Sequence, residues 1–140
     1  PDRVWMASSH PLAQQSELTL AECASVPQIV LEADRIDGVL RSVWSRYGLH
    51  PDVLLRTTSL EAVRSLVATG AGIALLPDLV YRPWSLEGDR IESRDVSGQL
   101  PAVQVGIVWR KGSGLSETAR DFIRVAQLHR GGRGRSERPN

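Results

Sequence analysis

The chain alternates between two kinds of hydrophobic pattern. Short continuous apolar runs predict buried strands in "DRVWMAS", "PQIVLEA", "PDVLLRT", "GIALLP" and "AVQVGIVWR", and "RIESRDV" predicts a further strand of mixed exposure. Between these runs, apolar residues recur every three or four positions, which is the period of an amphipathic helix. Because strands alternate with helices, the sequence predicts an α/β fold with a mostly parallel, doubly wound sheet and right-handed crossovers.

The clearest predicted helix begins after Asp34, a residue type that caps helix N-termini well. Gly48 follows the predicted end of this helix, where a glycine in the left-handed conformation closes the last turn. One apolar stripe at helical spacing faces the predicted core. It comprises Ile36, Val39, Leu40, Val43, Trp44 and Tyr47.

Three other helix starts carry side chains that can satisfy free backbone N–H groups. Thr19 with Glu22, and Thr58 with Glu61, have the spacing of a capping box, in which each side chain accepts from the backbone of the other residue. Ser116 is the cap of a final amphipathic helix. A helix is therefore predicted to begin at each of these three places.

Two glycines in "LVATGAGIALLP" raise the question of a phosphate-binding loop. Such a loop runs from a strand through glycines into a helix, so that the phosphate meets the positive helix N-terminus. Here the order is helix, Gly70-Ala71-Gly72, then strand. The glycines follow a helix C-terminus, whose partial negative charge repels a phosphate. We interpret Gly70 as a left-handed helix cap and Gly72 as the entry to the next strand.

A parallel sheet brings the helix N-termini that follow its strands to one edge, where the ligands of α/β proteins collect. The predicted helix starts at that edge are at Asp34, Thr58 and Asp78, and the two aspartates bring their own negative charge. The start at Thr58 instead offers the neutral hydroxyls of Thr57, Thr58 and Ser59 with free N–H groups. A small carboxylate is expected to prefer it, although helix capping explains the same residues without a ligand.

Composition narrows the class of protein further. The chain has 140 residues, 41% hydrophobic and 24% charged, with a formal net charge of +1 and one cysteine. The near-neutral charge disfavours a nucleic-acid-binding domain, and a single cysteine excludes an internal disulfide. No run approaches the roughly 18 apolar residues of a membrane span, and no basic-then-apolar leader opens the chain. We therefore expect a cytoplasmic protein that does not enter a membrane.

The chain shows no pattern typical of an enzyme or a metal site. Ser9 and His10 are adjacent, and neighbouring residues on a strand point to opposite faces, which disfavours a catalytic pair. Cys23 fits a small buried apolar residue. The three histidines lack the spacing of metal ligands. The prediction is a protein without enzymatic activity, metal or cofactor.

Four segments in order resemble the effector-binding domain of LysR-type transcriptional regulators: "SSHPLA", "LTLAECASVPQIVL", "SLEAVRSLVATGAGIALLP" and "VQVGIVWRKGSGLSETARDFI". The resemblance runs from about Val4 to Gln127. It implies a two-lobed domain with the type 2 periplasmic-binding-protein fold, which binds a small-molecule effector between its lobes. Members of this family form dimers or tetramers and contact DNA through an N-terminal winged helix-turn-helix, which nothing in this chain resembles.

The resemblance implies a division of the chain into four parts. Residues 1–10 would hold a crossover strand and part of lobe I, and residues 11–102 would form lobe II. Residues 103–127 would hold the return crossover strand and a lobe I helix, and residues 128–140, rich in arginine and glycine, a disordered basic tail. The alternative on the same fold is a stand-alone periplasmic-type solute-binding protein.

The resemblance also implies which residues contact the effector, which is expected to be a small organic anion. Contacts would come from the helix start after the second lobe II strand, from the turn after the first, from the hinge, and from the position after Pro77. These residues are Thr57, Thr58, Ser59, Ala33, Asp34, Ile36, Ser8, Ser9 and Asp78.

If part of lobe I lies outside the chain, some apolar residues should lack a cover. These are Val4, Trp5 and Met6 on the first strand, Val105, Ile107 and Trp109 on the last strand, and Phe122 and Ile123 on the final helix. An exposed strand edge beside uncovered apolar residues pairs readily with another chain. We therefore expect self-association through the two terminal segments, and a homo-oligomer.

Overall fold

The computed structural model describes residues 2–33, 36–98, 100 and 107–129. Strands and helices alternate, as the hydrophobic pattern predicts. The strands are β1 (Asp2–Ala7), β2 (Glu17–Thr19), β3 (Gln28–Leu31), β4 (Val53–Thr57), β5 (Ala74–Pro77) and β6 (Ile91–Ser97). The helices are α1 (Leu20–Ala24), α2 (Ile36–Arg46), α3 (Leu60–Ala68) and α4 (Glu117–Leu128), with short 3-10 turns at Pro11–Gln14 and Asp78–Val80.

The first compact unit, residues 1–103, is built on a mixed sheet. Four strands have the order β2-β6-β1-β5, in which β2 runs parallel to β6 while β1 runs antiparallel to both of its neighbours. A parallel β3–β4 pair adjoins β5 through a parallel bridge between Gln28 and Ile73. The α/β class is confirmed. The expectation of a mostly parallel sheet needs correction at β1, because this strand is antiparallel to both β5 and β6.

Strand β1 lies inside the sheet and is fully covered. Val4, Trp5 and Met6 are each 0% exposed. Both edges of β1 are occupied, one by β5 and the other by β6, so neither is open to another chain. The expectation that these three residues lie uncovered is therefore wrong. Strand β1, the predicted crossover strand, shares its sheet with β5 and β6, and the division of the chain into lobes stays a prediction.

Helices cover both faces of this sheet, as in a doubly wound fold. On one face α2 packs against Val4 and Met6 of β1, and on the other face α3 packs against Trp5. This division follows from the alternating direction of successive side chains along a strand. The buried helix residues are Leu40, Val43 and Trp44 of α2, and Val63 and Val67 of α3.

The glycine corner after α3 is structural, as predicted. Gly70 has a φ of +83°, and its N–H donates to the Val67 carbonyl at 3.0 Å. A Cβ on Gly72 would lie 2.6 Å from the Pro27 carbonyl oxygen, closer than any side chain tolerates. Backbone geometry therefore requires glycine at both positions, and no phosphate is needed to explain them.

The second compact unit, residues 104–140, contains α4. Ser116 caps this helix as predicted, and Phe122 on it is 65% exposed. Residues 107–110 belong to no regular element, and the remainder of the strand predicted in "AVQVGIVWR" lies outside the described residues. The predicted basic tail also lies outside them from residue 130 onward. Self-association through α4 stays a prediction.

Candidate functional site

The carboxyl ends of β3 and β4 lie side by side at one edge of the sheet. Leu31 and Thr57 are register partners on these parallel strands, and the Glu32 N–H donates to the Thr57 carbonyl at 2.7 Å. Leu31 packs in the cluster beneath α3. Register partners point to the same face of a sheet, so the Thr57 side chain lies on the α3 side.

Helix α3 begins at this edge, one residue later than the sequence predicts. Ser59 rather than Thr58 is the N-cap, because the Ser59 hydroxyl accepts a hydrogen bond from the Ala62 N–H at 3.2 Å. The Thr57 hydroxyl accepts from the Ser59 N–H at 3.1 Å and stabilises the turn. Thr57 is the last residue of β4, so the chain turns at Thr58. Ser59 is therefore the first residue whose side chain can accept a hydrogen bond from a backbone N–H of the helix. Thr58 itself is exposed.

The start of α3 offers backbone donors, and its own acidic residue is paired. The N–H groups of Leu60 and Glu61 lie in the first turn, where a helix offers no acceptor for them. Glu61 is acidic, but its carboxylate pairs with the guanidinium of Arg64. Arg64 is buried and also donates to the Val80 carbonyl at 2.8 Å. The negative charge of Glu61 is therefore offset.

A cation that the sequence analysis does not single out lies at the end of β5. Arg3 is near the beginning of β1 and pairs in register with Leu76, because β1 is antiparallel to β5. Its guanidinium lies 3.4 Å from the Asp78 carboxylate and 3.3 Å from that of Asp95, and it donates to the Ser93 hydroxyl at 3.4 Å. These contacts are longer than the roughly 2.7–2.9 Å typical of charge-assisted hydrogen bonds. Arg3 is therefore held loosely by its partners.

Asp78 does not cap the short turn that follows β5. Pro77 occupies the cap position, and no side-chain hydrogen bond closes the turn. The carboxylate of Asp78 faces Arg3 instead. The predicted capping role is wrong because the antiparallel β1 brings a cation to this position, and that cation attracts the carboxylate.

Ser8 and Ser9 lie at the opposite edge of the sheet from Thr57. They follow the end of β1, which is antiparallel to β5 and therefore ends beside the beginning of β5. A Cβ on Gly70 would lie 4.0 Å from that of Ala7, which places the end of β1 next to the glycine corner. The structure does not bring these two serines together with the start of α3, because the direction of β1 separates them.

The turn after β3 contributes apolar side chains to the carboxyl edge. Ala33 and Ile36 are partly buried and pack against the cluster beneath α3. Helix α2 begins at Ile36, whose N–H donates to the Ala33 carbonyl at 2.9 Å. Asp34, the predicted cap of α2, lies outside the described residues.

The thiol of Cys23 is buried and protonated. Burial, together with the nearby Glu22 carboxylate, raises the pKa of the Cys23 thiol to about 12, and Cys23 is 0% exposed, as expected of a core residue. No group of three or more metal-ligating side chains occurs among the described residues. Within the same residues, every helix is too short or too polar to traverse a bilayer.

A family model described as the LysR substrate binding domain matches residues 2–130. The chain belongs to this family. The DNA-binding transcriptional dual regulator OxyR of Escherichia coli K12 is 33% identical over 117 residues, which are 76% of this chain and 35% of OxyR. This LysR domain spans less than half of the length of the curated regulators it matches.

Solved structures of LysR proteins share the fold. The C-terminal domain of a probable LysR family regulator from Rhodococcus sp. RHA1 is 30% identical, with a TM-score of 0.78 over 90% of this chain and 62% of that one. The effector-binding domain of QuiR, solved in complex with shikimate, is 18% identical, with a TM-score of 0.63 over 91% of this chain and 60% of that one. The LysR domain therefore has the periplasmic-binding-protein-like architecture predicted from its sequence.

Proposed function

We propose that this LysR domain is the effector-binding part of a transcriptional regulator, and that it binds a small organic anion at the carboxyl edge of its sheet. The observation that supports this site is the start of α3, where free backbone donors and uncharged hydroxyls lie together. The edge would form one wall of the cleft between two lobes. In the whole regulator, which would act in the cytoplasm, a different segment would contact DNA.

The physical argument rests on charge at the helix start. The N-terminus of an α-helix carries a partial positive charge and unsatisfied N–H groups, which together stabilise a carboxylate. At α3 the N–H groups of Leu60 and Glu61 and the exposed hydroxyl of Thr58 are the donors proposed to hold it.

The relatives support a binding role rather than catalysis. OxyR is named as a regulator of transcription, and the QuiR domain is described in complex with a small molecule, shikimate. The described residues of this chain add no reactive thiol or metal cluster that would favour an enzyme. The proposal therefore assigns the chain to sensing of a small molecule.

The test is an NMR titration of the 140-residue chain with a panel of small organic acids. An acid that binds as proposed should shift the backbone amide signals of Thr58, Ser59, Leu60 and Glu61 in a saturable way. Replacing Thr58 by Val removes a donor without touching the N-cap, and it should weaken binding about threefold to tenfold, the loss expected for one hydrogen bond.

Helix α4 supplies an internal control. Ser116 caps α4 with the same hydrogen-bond geometry as Ser59 caps α3, at 3.1 Å and 3.2 Å. Attraction of anions to any helix start would shift the amides of residues 117–119 as strongly as those of residues 59–61. Shifts of equal size at both helices, or shifts confined to Gly70 and Gly72, would contradict the proposed site.

A further inference from the structure

Helix α3 contains a buried cation about one turn after its first residue. Arg64 is 8% exposed, and arginine is seldom buried without a partner because its guanidinium stays charged. The guanidinium donates to the Glu61 carboxylate and, at 2.8 Å, to the Val80 carbonyl. It also lies 5.9 Å from the centre of the Trp5 ring, within the range of a cation–π contact. These three contacts fix the guanidinium beneath the start of the helix.

Stability alone does not account for an arginine at this position. An ion pair taken out of water gains little over apolar residues of the same volume, because desolvation offsets the attraction between its charges. The Nε–H of Arg64 is also buried without a hydrogen-bond partner among the described residues, which costs further free energy. Val63 and Val67 fill the core positions of the same helix with apolar side chains. The contacts with Glu61 and Val80 are therefore what distinguishes Arg64 from an apolar residue.

The Glu61 carboxylate has two possible partners on α3. Glu61 is the second residue of the helix, where the N–H groups of Leu60 and Glu61 have no acceptor within the helix. A carboxylate in the first turn is attracted to such donors and to the partial positive charge of the helix start. Arg64 lies three residues further along, and residues three apart are neighbours on a helix surface. In the structure the carboxylate binds Arg64 rather than the first-turn N–H groups.

We propose that Arg64 is a positioning residue, which holds the Glu61 carboxylate away from the start of α3 and leaves the first-turn N–H groups to an anionic ligand. The inference rests on the proposed function, because it concerns the same site. A free Glu61 carboxylate would compete with the ligand from within the chain, at an effective concentration on the order of millimolar for a short flexible link. Arg64 removes this competitor, and its own guanidinium is buried and does not have to touch the ligand.

The first test needs no ligand and follows the amide proton signals of Leu60 and Glu61 in the 140-residue chain by NMR. Arg64→Met keeps much of the side-chain length and removes the charge. The freed Glu61 carboxylate should then accept from these N–H groups and move their proton signals downfield. The downfield shift should be lost in Arg64→Met/Glu61→Gln, because the glutamine side chain carries no charge. Equal signals in the two variants would overturn the proposal, whether or not an acid binds.

The second test measures the binding of acetate through the same signals. Arg64→Met should bind acetate about threefold to tenfold more weakly than wild type, the range expected for a charge at a helix terminus, and Arg64→Met/Glu61→Gln should recover the affinity. Arg64→Met/Glu87→Gln is the matched control, because it has the same net charge as the recovered variant. Glu87 accepts from the Ser65 hydroxyl at 2.9 Å and not from Arg64. This control should stay as weak as Arg64→Met, and recovery in both double variants would show that overall charge decides the affinity.

Glu61→Asp tests the same inference with Arg64 and the net charge unchanged. The Glu61 side chain is 48% exposed, so the core stays intact and the result holds even if Arg64→Met fails to fold. The shorter carboxylate reaches Arg64 less well and lies nearer the first-turn N–H groups, so acetate should bind about twofold to fivefold more weakly. Arg124→Gln breaks a pair of the same spacing on α4, Arg124 with Asp121 at 2.8 Å, and should change neither readout. Urea unfolding of each variant confirms that it is folded.

The proposed function and the role of Arg64 fail in different ways. If acetate does not bind at the start of α3 in any variant while the amide signals follow the expected pattern, the anion site is wrong and the positioning of Glu61 by Arg64 stands. If wild type and Arg64→Met bind acetate equally at residues 58–61, the site stands and the role of Arg64 is wrong. Weaker binding in Arg64→Met that Glu61→Gln does not recover would show that Arg64 only supports the fold, and it would overturn the inference.

Discussion

The Ser59 hydroxyl accepts the hydrogen bond of the Ala62 N–H at 3.2 Å, which makes Ser59 the residue that begins α3. Replacing Ser59 by Ala should lower the free energy of unfolding by about 1 kcal/mol, the usual cost of losing an N-cap. Thr58→Ala should change it by less than about 0.5 kcal/mol, because the side chain is exposed. Urea unfolding measures both, and a larger loss in Thr58→Ala would restore the sequence-based assignment.

The burial of β1 predicts a large difference between two tryptophans. Trp5 is 0% exposed, whereas Trp84 is 50% exposed with the Arg90 guanidinium 5.4 Å from the centre of its ring. Trp5→Ala should lower the free energy of unfolding by about 3–5 kcal/mol, and Trp84→Ala by about 1 kcal/mol or less. The amides of β1 should also exchange slowly with solvent. Fast exchange along β1, or equal costs for the two variants, would show that the strand is uncovered after all.

Two glycines should respond to alanine in opposite directions. Gly72→Ala would push a Cβ to 2.6 Å from the Pro27 carbonyl oxygen, so the backbone has to shift. We expect a loss of about 1–3 kcal/mol in the free energy of unfolding. Gly38 lies inside α2, and a Cβ there meets no atom within 4 Å. Gly38→Ala should raise the free energy of unfolding by about 0.5–1 kcal/mol. Thermal melts of both variants measure the difference. A Gly72→Ala variant more stable than Gly38→Ala would contradict the close contact with Pro27.

The Cys23 thiol should be inert in the native protein. Its pKa is raised from 9.0 to about 12, so the folded state favours the protonated thiol. The stability that this group contributes is complete below pH 9 and is lost as the pH rises toward 12. Wild type should therefore lose stability relative to Cys23→Ala between pH 9 and pH 11, measured by urea unfolding. A thiol reagent should react only after unfolding, and rapid labelling of the native chain at pH 8 would show an accessible thiolate.

Local structure was predictable from the sequence because its causes are local. The capping box of α1 is present as predicted, with the Thr19 N–H donating to Glu22 at 2.8 Å and the Glu22 N–H donating to the Thr19 hydroxyl at 3.2 Å. Strand β3 (Gln28–Leu31) lies within the segment "PQIVLEA", where the sequence predicts a buried strand. Each of these features depends on a few consecutive residues, whose spacing and hydrophobicity decide the outcome.

The features that sequence reasoning missed depend on contacts between distant residues. Arg3 and its partner Asp95 are more than ninety positions apart, and only the antiparallel entry of β1 places them together. The same reversal separates Ser8 and Ser9 from Thr57. Hydrophobic periodicity identifies a strand but carries no information about its direction in the sheet. The sequence predicts that α3 begins at Thr58, one residue too early, for a related reason. Pairing with β3 extends strand β4 to Thr57, and this contact between distant residues sets where the helix can begin.

The interior position of β1 also sets the order in which the domain can assemble during synthesis. Trp5 leaves the ribosome before its register partners Ala74 and Ser93, which are made about seventy and ninety residues later. Contacts between such distant positions require closure of long loops and slow the folding of a chain. Until β6 has emerged, β1 has one partner at most, so its apolar residues Val4, Trp5 and Met6 stay open to aggregation over this interval.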